Sequence, residues 1–216
     1  MDEKKRILLI IIIGIVLAIS FNWITDLTSL DEGRNAHATK IMLSTKNFVV
    51  PYYNCKERFE KPPILYWLGA ISSYIFGLNE FSLRLVSGIA GILLAICTYR
   101  IAKIVLEDEE IAFRASIILM ATPHFYIESR AYVPEMTLVL FMTLSLLSML
   151  KEHYTLSWLF TAIAFLTKGP VALLSPVIYF INYRTKKLFN IKGLLLFIAV
   201  GFSWYFYMLA KFGYDY

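Results

Sequence analysis

The stretch "RFEKPPILYW", residues 58–67, places charged residues and two prolines directly before an apolar, aromatic run. A proline pair suits the start of a helix, because the first N–H groups of a helix have no intrahelical partner in any case. The apolar run therefore predicts a helix within Pro62–Phe76. Glu60 and Lys61 would then adjoin the positive end of that helix, which is a natural place for an anion.

The whole chain is too apolar for a soluble domain of its length. Of its 216 residues, 58% are hydrophobic and 17% are charged, whereas about 25% of a typical soluble domain is charged. Apolar runs long enough to cross a bilayer recur along the chain. They are Ile7–Trp23, Phe81–Leu106, Ile111–Ile127, Pro134–Leu150 and Gly193–Ala210, with two shorter runs on either side of Lys168. We predict an all-α polytopic membrane protein, in which a net charge of +5 belongs to the loops and does not indicate a nucleic-acid partner.

The basic residues favour about seven spans with the N-terminus on the inner side. In this topology Pro62–Phe76 lies along the membrane surface or re-enters it, and the basic loops share the inner side. Those loops contain Lys4, Lys5, Arg6, Arg100, Lys103, Lys151, Arg184, Lys186, Lys187 and Lys192. The turns at "SRAYVPEM" and "LTKGP" then face outward with the long first loop. The alternative topology joins Thr155–Tyr183 into one kinked helix and lets Pro62–Phe76 cross the membrane.

The first outer loop, residues 24–80, is long for a membrane connection, and its sequence indicates an ordered segment. The stretch "SLDE" has the pattern of a capping box, with Ser29 at the cap and Glu32 three residues on. The following "DEGRNAHATKIML" predicts a short amphipathic helix near the interface. Within it, Asp31 and Arg34 stand at the spacing of a helical ion pair.

These residues resemble the first outer loop of the bacterial aminoarabinose transferases. Those enzymes belong to a wider group of GT-C type membrane glycosyltransferases that use polyprenyl-phosphate sugars and include the protein O-mannosyltransferases. The pattern is Asp-Glu-x-Arg, then Glu-Lys-Pro-Pro with a nearby Tyr-Trp, then a Gly and an Arg that opens the next span. The matching residues are Asp31, Glu32, Arg34, Glu60, Lys61, Pro62, Pro63, Tyr66, Trp67, Gly77 and Arg84, together with "LTKGP" at 166–170.

The resemblance implies an inner-membrane enzyme that takes a sugar, aminoarabinose or a mannose-like sugar, from a polyprenyl (undecaprenyl) phosphate carrier. Transfer would occur among membrane lipids on the outer, periplasmic side. The acceptor is a lipid A phosphate in one branch and a Ser or Thr hydroxyl in the other, so the resemblance implies lipid A modification or protein glycosylation. Residues 1–216 would form one membrane module, and the C-terminal part of the family would be absent.

The resemblance also implies a role for each matching side chain. Asp31 would be the general base for a hydroxyl acceptor, or an orienting group for a phosphate acceptor. Lys61, helped by Arg34, would neutralise the leaving polyprenyl phosphate. Glu60 would bind substrate and a divalent cation, with a His partner from a later part of such chains. The other candidates are a second catalytic carboxylate, Glu135, and the basic substrate-binding residues Arg84, Arg130 and Lys168.

Two positions depart from the family's pattern. Relatives often have Tyr where this chain has Asn35, and many have Asp where it has Glu135. Glu135 keeps the charge with a longer reach, but it also suits the first turn of a helix after Pro134. Lys61, Arg130 and Lys168 have a structural explanation as well, because long basic side chains near span ends extend to the headgroups.

Two other functions are compatible with the sequence. The chain is also consistent with a non-catalytic module that binds polyprenyl phosphate, alone or as a split-gene fragment that needs a partner chain. A small transporter is the third possibility, and it is disfavoured because the ionisable residues cluster outside the membrane centre.

Overall fold

The computed structural model describes residues 1–27 and 29–213, and most of them are helical. The α-helices are α1 (Glu3–Gly14), α2 (Leu30–Thr45), α3 (Ile64–Phe76), α4 (Glu80–Leu106), α5 (Glu109–Met120), α6 (Pro123–Ser129), α7 (Glu135–Leu150), α8 (Tyr154–Lys168), α9 (Leu174–Tyr183), α10 (Ile191–Gly201) and α11 (Ser203–Phe212). A π-helical turn at Ile15–Ile19 extends α1, and short 3₁₀ segments cover Gly169–Leu173 and Lys186–Phe189. The strands β1 (Tyr52–Tyr53) and β2 (Lys56–Glu57) form one small hairpin. The all-α fold class is confirmed.

Helix α4 is the longest and packs against α1, α3, α5 and α7. Arg84 lies in its first turns and Lys103 in its last turn, so we name the two ends of the bundle after these residues. At the Lys103 end, Lys103 donates to Glu3 at 2.8 Å and Arg6 donates to Glu110 at 2.6 Å. These bonds lower the pKa values of the Glu3 and Glu110 carboxyl groups.

Several basic residues that the sequence places on the inner side do gather at the Lys103 end. Lys187 pairs with Glu152 at 3.7 Å, and Thr155 on the first turn of α8 donates to Asn190 at 3.1 Å. The candidate site residues lie at the Arg84 end instead. Both ends carry acidic and basic side chains, so the side of the membrane that each end faces stays a prediction.

By length and composition alone, two helical stretches of the described chain are long and apolar enough to cross a membrane: α4 and residues 154–183. Helices α10 and α11 meet at a bend of 42°, and they make a third stretch if they are counted as one span. Helix α3 has 13 residues and is about 20 Å long, which is short of the roughly 30 Å of a hydrocarbon core. Helix α5, which lies in a predicted span, is shorter still with 12 residues, so helix length does not decide whether Pro62–Phe76 crosses. The total of seven spans stays a prediction.

The stretch 154–183 is a helical hairpin and not one rod. The hydroxyls of Tyr154 and Tyr179 lie 3.5 Å apart although 25 positions separate them, and a straight helix would separate these positions by roughly 37 Å. The chain reverses in the 3₁₀ segment after Lys168, where Gly169 has φ of +74°. Because α9 returns toward the start of α8, the alternative of a single kinked helix is wrong.

Gly69 allows α3 to pack directly on Tyr132. A Cβ atom at position 69 would clash with the Tyr132 hydroxyl, which is held by hydrogen bonds to Leu65 O at 2.9 Å and Thr39 Oγ1 at 2.8 Å. We expect Gly69→Ala to destabilise the chain by about 1–3 kcal/mol, because overpacking displaces this fixed ring. Thermal unfolding in detergent measures the effect.

Gly33→Ala is the matched control, since a Cβ there meets nothing within 4 Å. Equal melting temperatures for the two variants would show that α3 and Tyr132 do not pack in this way.

Candidate functional site

Helix α2 carries the acidic motif, and its start follows the prediction. Ser29 Oγ accepts a hydrogen bond from the Glu32 N–H at 3.1 Å. The buried face of the helix is mixed, however, with the polar residues Glu32, Asn35 and Thr39 beside Ala36, Ala38 and Met42. Asn35 donates to the Tyr132 carbonyl at 3.0 Å. The predicted amphipathic character is therefore only partial, because polar partners on other helices replace some of the apolar contacts.

Arg84 and Glu32 form a bidentate ion pair inside the protein. Arg84 Nε and Nη2 donate to the two Glu32 carboxylate oxygens at 2.7 and 3.0 Å, and the side chains are 4% and 2% exposed. The other Arg84 N–H groups bond to oxygens of Asn22, Thr25 and Asp26. A guanidinium has five N–H donors, and all are used here. Arg84 therefore joins α4 to α2, and its role in substrate binding stays a prediction.

Asp31 and Lys61 come together at the surface of the Arg84 end. Lys61 Nζ donates to Asp31 Oδ2 at 3.3 Å, across 30 positions of sequence. The Lys61 side chain is 16% exposed and the Asp31 side chain is 55% exposed. An ammonium group has three N–H donors, so two remain for another ligand. The two residues that the sequence places at the centre of the site are therefore in contact.

Glu60 faces a different partner from its neighbour Lys61. Its carboxylate lies 3.4 Å from Nε of Arg58, whose side chain is 4% exposed. The hairpin before it positions Arg58, because the Arg58 N–H bonds to the Pro51 carbonyl at 2.8 Å. The turn residues Asn54 and Cys55 have φ of 51° and 59°, as a type I′ turn requires. The sequence did not identify Arg58 as a candidate, although it stands in the same motif.

Arg34 belongs with Arg58 and not with Asp31. Its guanidinium lies 5.8 Å from the ring centre of Tyr53, and Arg34, Tyr53 and Arg58 all line a cavity of about 500 Å³. The helical ion pair between Asp31 and Arg34 is not formed among the described residues, since Asp31 pairs with Lys61. The help of Arg34 at the Lys61 phosphate site stays a prediction.

Tyr66 is a further group that the sequence reasoning left out of the site. Its side chain is fully buried, and burial raises its pKa to about 12. The charge of Arg58 opposes this shift, and the charges of Glu60 and Asp31 add to it. The hydroxyl has no hydrogen bond within the described chain, so it is available as a hydrogen-bond donor. The sequence signal that could have identified Tyr66 was its position in the Tyr-Trp part of the motif.

Glu135 and Lys168 form a second pair at the same end of the bundle. Lys168 Nζ donates to Glu135 Oε1 at 2.6 Å, which joins the start of α7 to the end of α8. The second carboxylate oxygen, Oε2, is buried and has no hydrogen bond within the described chain. No hydrogen bond or ion pair between described residues connects this pair to Asp31 and Lys61. Their roles in catalysis and in substrate binding stay predictions.

Arg130 binds the backbone of the first helix. It donates to the carbonyl oxygens of Leu17 at 3.1 Å and Ser20 at 2.8 Å, and it lies 5.0 Å from the Tyr126 ring centre. The last carbonyl groups of a helix lack intrahelical partners. This contact satisfies two of the carbonyls where the first helical segment ends, so Arg130 serves the fold. Its role in substrate binding stays a prediction.

The described residues do not supply a metal centre. Within residues 1–27 and 29–213, no group of three His, Cys, Asp or Glu side chains is placed to hold a metal ion. Glu60 is paired with Arg58, a cation. These residues alone do not fit a divalent cation, and we assign no chemical step to one.

The bundle and its loop site together define a class, the GT-C type membrane glycosyltransferase fold. The chain belongs to the dolichyl-phosphate-mannose-protein mannosyltransferase family, whose model matches residues 60–209. The resemblance seen in the motif is confirmed.

Solved structures show the same fold. The crystal structure of ArnT from Cupriavidus metallidurans bound to undecaprenyl phosphate superposes with a TM-score of 0.86 at 22% identity, over 98% of this chain and 42% of that chain. The archaeal oligosaccharyltransferase AglB from Archaeoglobus fulgidus, in complex with an inhibitory peptide and a dolichol-phosphate, gives 0.67 at 16% identity, over 99% of this chain and 29% of that chain.

Relatives are found at higher identity. An uncharacterized protein of Aquifex aeolicus is 50% identical over 99% of this chain and 51% of its own length. An undecaprenyl phosphate-alpha-4-amino-4-deoxy-L-arabinose arabinosyl transferase of Wigglesworthia glossinidia brevipalpis is 30% identical over 81% of this chain and 33% of its own length. The chain thus spans between a third and a half of these curated relatives.

Proposed function

We propose that this chain carries the donor-phosphate site and the acceptor carboxylate of a glycosyltransferase that takes a sugar from a polyprenyl phosphate carrier. The contact between Asp31 and Lys61 at 3.3 Å carries the proposal. It places a cation that can hold a phosphate next to a carboxylate that can receive a proton. Similar proteins support it, since one is named for undecaprenyl phosphate-linked aminoarabinose and another is bound to undecaprenyl phosphate.

Lys61 stabilises the leaving group in this mechanism. Its two remaining N–H groups donate to oxygens of the donor phosphate. As the bond between the anomeric carbon and the phosphate oxygen breaks, that oxygen takes the electron pair, and the ammonium charge stabilises the added negative charge.

Asp31 acts on the acceptor, whose oxygen forms the new bond to the anomeric carbon with inversion. A hydroxyl acceptor loses its proton to the Asp31 carboxylate, which is a general base. A phosphate acceptor needs no proton removal, and Asp31 then orients it. The experiment therefore uses both acceptors, lipid A in one arm and a Ser or Thr peptide in the other.

The proposed location is the inner membrane, with the Arg84 end of the bundle facing the periplasm. This orientation follows from the loops that the sequence assigns to the inner side by their basic residues. The donor's polyprenyl chain and a lipid acceptor would both reach the site from the membrane.

Asp31→Asn tests the catalytic part of the proposal. The chain, reconstituted in lipid nanodiscs, receives undecaprenyl-phosphate aminoarabinose with lipid A, or polyprenyl-phosphate mannose with a Ser/Thr peptide, and transferred sugar is measured. We expect Asp31→Asn to lower transfer to a hydroxyl acceptor by about 100-fold or more, because a general base contributes about 10²–10⁴ in rate. A phosphate acceptor should show a smaller loss.

Asp26→Asn is the control, because Asp26 is an exposed carboxylate of the same loop. Unchanged transfer by Asp31→Asn would refute its catalytic role. Donor binding without any turnover by the wild-type chain would favour the non-catalytic binding module instead.

A further inference from the structure

Arg58 is a buried cation whose N–H groups have no hydrogen-bond acceptor among the described residues. Its side chain is 4% exposed, and within the described chain Nε, Nη1 and Nη2 are all buried without a hydrogen-bond partner. The Glu60 carboxylate lies 3.4 Å from Nε, and Glu57 lines the same cavity. A buried charged group that lacks its hydrogen bonds is costly to the fold. A group retained at such a cost points to a ligand that completes it.

The surroundings of Arg58 repeat the same feature. The guanidinium groups of Arg34 and Arg58 lie 5.8 and 6.0 Å from the ring centre of Tyr53. Nε of Arg34 is also buried without a hydrogen bond in the part of the chain that the structure describes. Both side chains line the cavity of about 500 Å³ between α2 and the β-hairpin. One cavity therefore contains two arginines with donors to spare.

We propose that this cavity is a second oxyanion site, which takes a phosphate group and is separate from the donor-phosphate site at Lys61, so that Arg34 serves this cavity instead of assisting Lys61. Glu60 occupies the Nε side of Arg58, so the Nη1 and Nη2 pair remains for two parallel bonds to phosphate oxygens. Arg34 supplies further donors from α2, across the Tyr53 ring. The phosphate belongs either to a soluble ion or ester or to a lipid headgroup.

The site predicts an unusual pair of stability effects. Without ligand, the buried Arg58 guanidinium, whose hydrogen bonds are unmade in the described chain, destabilises the fold, so Arg58→Met should melt at the same temperature as its parent or higher. With phosphate, the parent gains stability because the ligand binds only the folded state. That gain should disappear in Arg58→Met. An arginine with a purely structural role would show the opposite pattern.

The experiment uses the full chain with Lys61→Ala as parent, so that the donor-phosphate site does not contribute. It is reconstituted in phosphatidylcholine nanodiscs, and unfolding is followed with and without inorganic phosphate. A second set of discs contains phosphatidic acid, which presents a phosphate monoester as a headgroup. Arg58→Met and Arg34→Met are compared with Lys56→Met, which removes one positive charge from the hairpin at the rim of the cavity.

We expect phosphate to raise the melting temperature of the parent and of Lys56→Met, and to need at least tenfold higher concentration in Arg58→Met and Arg34→Met. Protection by inorganic phosphate would indicate a soluble ligand, and protection by phosphatidic acid alone would indicate a headgroup. No protection of the parent in either arm, or full protection of Arg58→Met, overturns the proposal. If Arg58→Met does not fold, Arg58→Lys is used instead, because it keeps the positive charge but lacks the two parallel N–H donors of the guanidinium. A phosphate-induced rise in melting temperature as large as in the parent would then overturn the proposal equally.

Discussion

Replacing Arg84 with methionine should destabilise the chain by about 3–5 kcal/mol, which is the loss expected when one partner of a buried ion pair is removed. Glu32 would remain 2% exposed with its cation gone. The loop oxygens of residues 22–26 would lose their donors at the same time. The start of α4 would then no longer hold α2, which carries Asp31.

Thermal unfolding in one detergent measures the loss, with Arg114→Met as control. Arg114 also pairs with a glutamate, Glu110 at 3.3 Å, but its side chain is 70% exposed, and such surface pairs contribute about 0–1 kcal/mol. The double variant Glu32→Met, Arg84→Met should lose less than the sum of the two single variants, because no buried charge is left alone. If Arg84→Met and Arg114→Met have the same melting temperature, Arg84 is not the residue that holds α2 to α4.

Local signals predicted the elements of the fold well. Ser29 begins α2, and the proline pair stands directly before α3 at Ile64. The two apolar runs on either side of Lys168 became α8 and α9, because Gly169 supplies a backbone conformation that favours reversal. Each of these outcomes depends on a few neighbouring residues, and such residues are visible in one sequence.

The partner of each charged residue was much harder to predict. Asp31 and Glu32 are neighbours, yet one reaches Lys61 at the surface and the other reaches Arg84 inside the bundle. Their directions depend on how α2 rotates against α3 and α4. Helix contacts across 30 to 52 positions decide that rotation, and they leave no local pattern.

Arg58 shows the same limit more strongly. In the sequence it is one of several charges in a polar loop, which suggests exposure. Its burial depends on a hairpin turn at Asn54 and Cys55, where both residues adopt positive φ without a glycine. The usual Asn-Gly signal for such a turn is absent, so the hairpin and the buried guanidinium emerged only from the structure.

Lys61→Ala should weaken the binding of polyprenyl phosphate by roughly 10- to 100-fold, because hydrogen bonds to charged groups contribute about 1.5–3 kcal/mol. The fold should survive, since the Asp31 carboxylate left behind is 55% exposed and stays hydrated. Titration of undecaprenyl phosphate into the chain in nanodiscs measures the change. Lys40→Ala, which removes an exposed lysine from α2, should bind like the wild type.

The most direct test is native mass spectrometry of the 216-residue chain, purified in mild detergent and examined for co-purifying polyprenyl phosphate beside Lys61→Ala and Lys40→Ala. We predict one bound lipid phosphate on the wild-type chain and on Lys40→Ala, and its loss from Lys61→Ala. A folded wild-type chain without lipid, or equal lipid on Lys61→Ala, would contradict a donor-phosphate site at Lys61.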